Sequence, residues 1–71
     1  MTRRLEIEMP DRTSAFHLED ELRRFYPLAV GSHGHWHVEV DGEPEELAEA
    51  VGTAEDWLRL HDVVPVLLRL T

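Results

Sequence analysis

The sequence predicts an α+β fold, and three observations predict it. Two stretches, Arg4–Met9 and His35–Val40, alternate apolar and polar residues one for one, the pattern of strands with one buried face. Two others, about Thr13–Tyr26 and Pro44–Asp62, repeat apolar residues at helical spacing. Between the first helix and the second alternating strand stands Gly31-Ser32-His33-Gly34, a glycine-bracketed stretch expected to reverse the chain.

In the first strand, Leu5, Ile7 and Met9 share one face and Arg4, Glu6 and Glu8 the other. Pro10 and Asp11 stop it, and Asp11 or Thr13 is placed to cap helix 1. Ala15, Leu18, Leu22 and Phe25 form the apolar stripe of that helix. Glu19 with Arg23 and Asp20 with Arg24 are spaced as i,i+4 ion pairs. Phe16 is out of phase with the stripe, so it is expected either under a neighbouring loop or in an interface. Pro27 ends the helix and is expected to hold Tyr26 extended.

Leu28–Val30 reads as a short strand before the turn, and in the next strand Trp36, Val38 and Val40 point inward while His35, His37 and Glu39 point outward. Helix 2 places Leu47, Val51, Ala54 and Leu58 on the core, with Ala50, Trp57 and His61 beside them. Gly52 faces solvent in the middle of this helix, where a kink is the alternative to a continuous run. Val63–Leu70 is the last strand, with Val64, Val66, Leu68 and Leu70 expected in the core and Pro65, Leu67 and Arg69 outside.

The order is strand, helix, strand, strand, helix, strand, which is the ferredoxin-like β-α-β-β-α-β arrangement: a four-stranded antiparallel sheet with both helices on one face. One bent strand over Leu28–Val40 would instead give a three-stranded β-α-β-α-β unit; the two glycines favour the hairpin. Residues 1–71 are expected to form one domain with one small core, a size at which oligomers are a common source of added stability.

Composition bounds the function. Seven basic and fifteen acidic residues give a formal charge of −8, which repels nucleic acid and anionic membranes. Five histidines qualify this, because imidazoles gain charge below about pH 6.5. Absence of cysteine removes disulfides, thiolate metal sites and cysteine nucleophiles. The chain has no long apolar run and no secretory signal pattern, so the expected compartment is the cytoplasm. All basic side chains are arginine and there is no Lys, Asn or Gln, a bias expected of a GC-rich bacterial genome.

The sheet face away from the helices mixes imidazole and carboxylate, and it holds the candidate site. His35 and His37 are about 6–7 Å apart on one side of a strand. With Glu6 or Glu8 from the neighbouring strand and His33 from the turn, they form a candidate site for Zn, Ni or Cu. The plainer account is a set of cross-strand ion pairs with Glu6 and Glu8. Glu39, Leu67, Arg69 and Phe16 are candidate interface residues.

No catalytic residue or cofactor is assigned. Ser32 beside His33 is the nearest approach to a nucleophile and base, but neighbours in a turn are not expected to hydrogen-bond. Outward Glu and His exclude the base-stacking surface of RNA-binding modules with this topology. Met9-Pro10-Asp11-Arg12 is neither a Cys-x-x-Cys metal loop nor an anion-binding loop. The residues favour a non-enzymatic binding module, a homodimer joined through the His/Glu face or the Leu28–Val30 edge, or bound to another protein. Alternatives are a metal- or pH-responsive module and an enzyme whose site forms only between two subunits.

Overall fold

A computed structural model describes residues 1–71. Strand β1 spans Arg3–Met9, α1 Arg12–Glu21, β2 Leu28–Ser32, β3 His35–Gly42, α2 Pro44–Leu60 and β4 Leu67–Leu70. The sheet order is β2-β3-β1-β4 with every neighbouring pair antiparallel, the ferredoxin-like topology that the element order predicts. Leu5, Ile7 and Met9 pair with Val40, Val38 and Trp36, which sets the inner face of the two central strands. That row packs against Ala15, Leu18 and Leu22 of the first helical segment and Leu47, Ala50, Ala54 and Leu58 of α2 to form the core.

The chain reverses one residue pair later than expected. Gly31 is not in the turn but inside β2, opposite Trp36, whose indole lies across it. The turn is His33–Gly34, with φ of 54° and 80°. Two positive φ angles in a two-residue loop define a type I′ turn, whose twist suits a hairpin. Glycine takes the second position at no steric cost.

Helix 1 also ends early. Asp11 caps it, accepting the Ser14 N–H at 2.7 Å, and this hydrogen bond holds the Asp11 carboxyl below its ordinary pKa. The α-helix stops at Glu21 and a 3₁₀ turn follows over Arg23–Phe25. Tyr26 is left-handed (φ 56°) rather than extended, the residue at which the chain turns into β2. The expected i,i+4 pairs therefore do not form. Arg23 approaches Asp20 at 4.0 Å, and Arg24 reaches Glu49 of α2, also at 4.0 Å. Glu19 instead accepts the Ala29 N–H at 2.7 Å, fastening α1 to β2. Phe16 packs on Trp36, ring centroids 5.3 Å apart, with the Arg12 guanidinium over both rings.

Helix α2 is continuous through Gly52, and a Cβ there would meet nothing within 4 Å. Gly52→Ala should therefore stabilise the fold by about 1 kcal/mol, the helix-propensity difference alone, measurable by urea denaturation. His61 caps the C-terminus of α2 and is exposed, not at the core edge; its ring stacks on Trp57 at 4.6 Å.

The last strand departs furthest from expectation. It begins at Leu67, although Val66 already donates its N–H to the Glu8 carbonyl at 2.8 Å. Leu68 and Leu70 do sit on the helix side, yet they are 37% and 51% exposed, and Val64 and Val66, ahead of the strand, are exposed as well. Helix α2 packs on β1 and β3 and α1 on β3 and β2, so the helical layer is offset toward β2 and stops short of β4. Alternation assigned the right side for Leu68 and Leu70; the helices cover it only in part.

Candidate functional site

The uncovered face of the sheet is set by register. Glu6 stands opposite Glu39 on one side and Arg69 on the other; Glu8 stands opposite His37 and Leu67. On β2, Leu28, Val30 and Ser32 continue the rows of Glu39, His37 and His35. Two carboxylates directly across a ladder repel, and the surrounding side chains answer that repulsion.

They do so as one line of alternating charge. Asp41 Oδ1 accepts from Arg4 Nε at 2.8 Å, and Arg4 Nη1 donates to Glu39 Oε2 at 3.2 Å. Glu39 Oε2 lies 3.3 Å from His37 Nε2, which lies 3.9 Å from Glu6 Oε2. Arg69 Nη2 donates to Glu6 Oε1 at 2.9 Å. The hydrogen bond and charge of Asp41, then the charges of Glu39 and Glu6, raise the Arg4 pKa above its ordinary value; the same hydrogen bond to Arg4 lowers that of Asp41. Three carboxylates meet two guanidinium groups, so with His37 neutral the line is one positive charge short. His37 sits at the gap. Its Nε2 is shielded from solvent and is in hydrogen-bond geometry with neither carboxylate beside it.

Of the five candidate metal ligands, the structure brings together only Glu6 and His37, and it adds Glu39, a candidate interface residue in the sequence reading. One donor atom from each of Glu6, His37 and Glu39 falls within 4.8 Å of the others, a set whose chemistry suits a borderline divalent ion. Glu8 and His35 form a separate pair, Oε2 to Nδ1 at 3.6 Å, with the imidazole in solvent. His33 stays in the turn, where its Nδ1 is 2.9 Å from Ser32 Oγ. That hydrogen bond, not expected between neighbours, does form. It lies on an exposed turn, without the third group that orients the base in a catalytic triad.

Glu39, Leu67 and Arg69 share the open face, whereas Phe16 is on the helix side against Trp36 and does not join them. Arg4 and Asp41 were missed as parts of the site. Their signal was in the sequence, as outward positions two residues from Glu6 and Glu39, but only the register shows that they meet. One open concavity of about 250 Å³ lies on the helical side, lined by Glu21, Thr53, Asp56, Trp57, Leu60 and His61.

Fold and face together define a ferredoxin-like α+β domain with an ionic outer sheet face and an apolar edge strand. No protein-family model and no curated protein sequence matches the chain. Among solved structures it is similar to the de novo designed protein Ferredog-Diesel, with a TM-score of 0.63 and 20% identity over 100% of this chain and 84% of that one. The likeness is one of fold. No helix is long and apolar enough to cross a membrane.

Proposed function

We propose that the chain is a non-enzymatic interaction module that works as a homodimer, in the bacterial cytoplasm that its arginine-only, cysteine-free composition suits. One observation carries the reading: β4 and its approach present Val64, Val66, Leu67, Leu68 and Leu70 to solvent from a single edge. A contiguous apolar edge strand is a template for pairing with another chain, and a domain of this size gains stability by it. This replaces the His/Glu face and the Leu28–Val30 edge as the expected contact. Sedimentation velocity from about 1 to 100 µM tests it. The expected result is a dimer whose fraction and melting temperature rise with concentration; a monomer at every concentration ends the proposal.

A second reading, cation binding, is favoured by the unpartnered His37 Nε2 beside Glu6 and Glu39. Zn²⁺, Ni²⁺ or Cu²⁺ at this position would supply the missing positive charge, with His35 and His33 outside the ligand set. Micromolar Zn²⁺ is then expected to raise the melting temperature, and His37→Ala to abolish the rise while His35→Ala keeps it. No rise at tens of micromolar metal, or one that survives His37→Ala, removes this reading.

A further inference from the structure

The self-association proposed above leaves its geometry open, and the two edges of the sheet are not equivalent. On β2 the 2.7 Å hydrogen bond from Ala29 N–H to Glu19 occupies an outward backbone donor, so that edge is partly capped by the protein's own side chain. Nothing does this on β4. Arg4 and Thr71 exchange both backbone hydrogen bonds, at 3.0 and 2.9 Å. Alternation along an antiparallel ladder then turns the N–H and C=O of Leu68 and Leu70 away from β1 and toward the free edge.

Charge permits contact at β4, as it would at the equally uncharged Leu28–Ser32 of β2. In a chain of formal charge −8, the run Val63-Val64-Pro65-Val66-Leu67-Leu68 has no ionisable side chain. The one charged residue of β4, Arg69, is already paired with Glu6. Bringing two β4 edges together thus joins a stretch of each copy that carries no unpaired charge.

From these observations we infer that two copies join edge to edge through antiparallel β4 strands, with Leu68 of each copy on the two-fold axis, in one continuous eight-stranded sheet. The axis is perpendicular to the sheet, so paired residues share a face and the centre must fall on a residue. Centring on Arg69 sets two guanidinium groups opposite each other, which is unfavourable. Centring on Leu67 puts on the axis a residue whose own N–H and C=O turn toward β1. It also sets Leu68 opposite Val66, whose N–H is already given to Glu8, so no pair is complete. Centring on Leu68 lets its outward N–H and C=O bond those of its own copy. It sets Leu70 opposite Val66, whose N–H is already given to Glu8, so the complete pair is the central one, and it sets Leu67 beside Arg69 on the face away from the helices. The half-open side chains of β4 then line the inner face where the two copies meet. An interface of this kind is isologous and closes at two subunits.

The chain has no cysteine, so single cysteines report the geometry directly. Opposed Leu68→Cys residues would have Cα atoms about 5.5 Å apart, inside the roughly 4.4–6.8 Å a disulfide spans. Mild oxidation of L68C should give mostly covalent dimer, and V30C on the other edge should stay monomeric on a non-reducing gel. Leu68→Arg, with its fold checked by circular dichroism, should weaken association at least tenfold. A dimer in sedimentation that crosslinks at Val30→Cys and not at Leu68→Cys overturns this geometry and leaves the self-association reading standing. A monomer at all concentrations overturns both.

Discussion

Replacing Ile7 by alanine is expected to lower the free energy of unfolding by about 2–5 kcal/mol, the range for truncating a buried branched side chain. Ile7 is fully buried on a central strand, with Val38 and Leu68 as its inner-face neighbours on either side. At roughly 0.05–0.15 kcal/mol per residue, a domain of 71 residues has about 4–10 kcal/mol in all, so the substitution removes a large share. Urea unfolding followed by circular dichroism measures it. Leu68→Ala, in the same row but on the open strand, should cost less than half as much under conditions where the protein is monomeric. Equal costs at the two positions would contradict the offset of the helical layer.

The second large effect is expected at Gly31. A Cβ there would lie 2.5 Å from Cζ2 and 2.6 Å from Cε2 and Cη2 of Trp36. Valine suits strands better than glycine by up to about 1 kcal/mol, yet no side chain fits without moving the indole away from Phe16 and Arg12. Overpacking of this kind typically costs about 1–3 kcal/mol, so the clash wins and Gly31→Val should be destabilised. A Trp57→Phe background leaves Trp36 as the sole tryptophan, and its emission, excited selectively over that of Tyr26, should shift to the red as the ring is displaced into water. A variant as stable as its parent, with unchanged emission, would mean that the indole does not need the space above Gly31.

Much of the fold was legible because it depends on local periodicity. Alternation located β1 and β3 and assigned their faces, and the helical stripe identified Ala15, Leu18, Leu22, Leu47, Ala54 and Leu58 as core. Gly31 was misread because a glycine needed for a turn and one needed under an indole look alike in sequence; the pairing with Trp36 decides between them. The early end of α1 was hidden because Leu22 and Phe25 satisfy a 3₁₀ turn as well as an α-helix. For β4, period two states which side a residue is on, while its burial depends on how far two helices reach across four strands. The site has the same limit. His35 and His37 do share a face, but whether Glu6 or Glu8 serves His37, and whether Glu39 joins them, depends on a register that no single strand encodes.

The type I′ turn at His33–Gly34 also bears on the order in which the sheet assembles. Across it two strands meet with almost no loop to close, whereas β1 pairs with nothing nearer in sequence than Trp36, and β4 only with β1 at the far end of the chain. Closure entropy grows with the separation of the ends, and non-local pairings are the slow ones. The hairpin, held to α1 through Glu19, is thus the natural nucleus, and β4 is the last strand to arrive. In the monomer, where it is bound along one side only, it is also the first to leave. At concentrations too low for association, opening should start at β4, with its amides the least protected in hydrogen exchange and those of β1 and β3 the most.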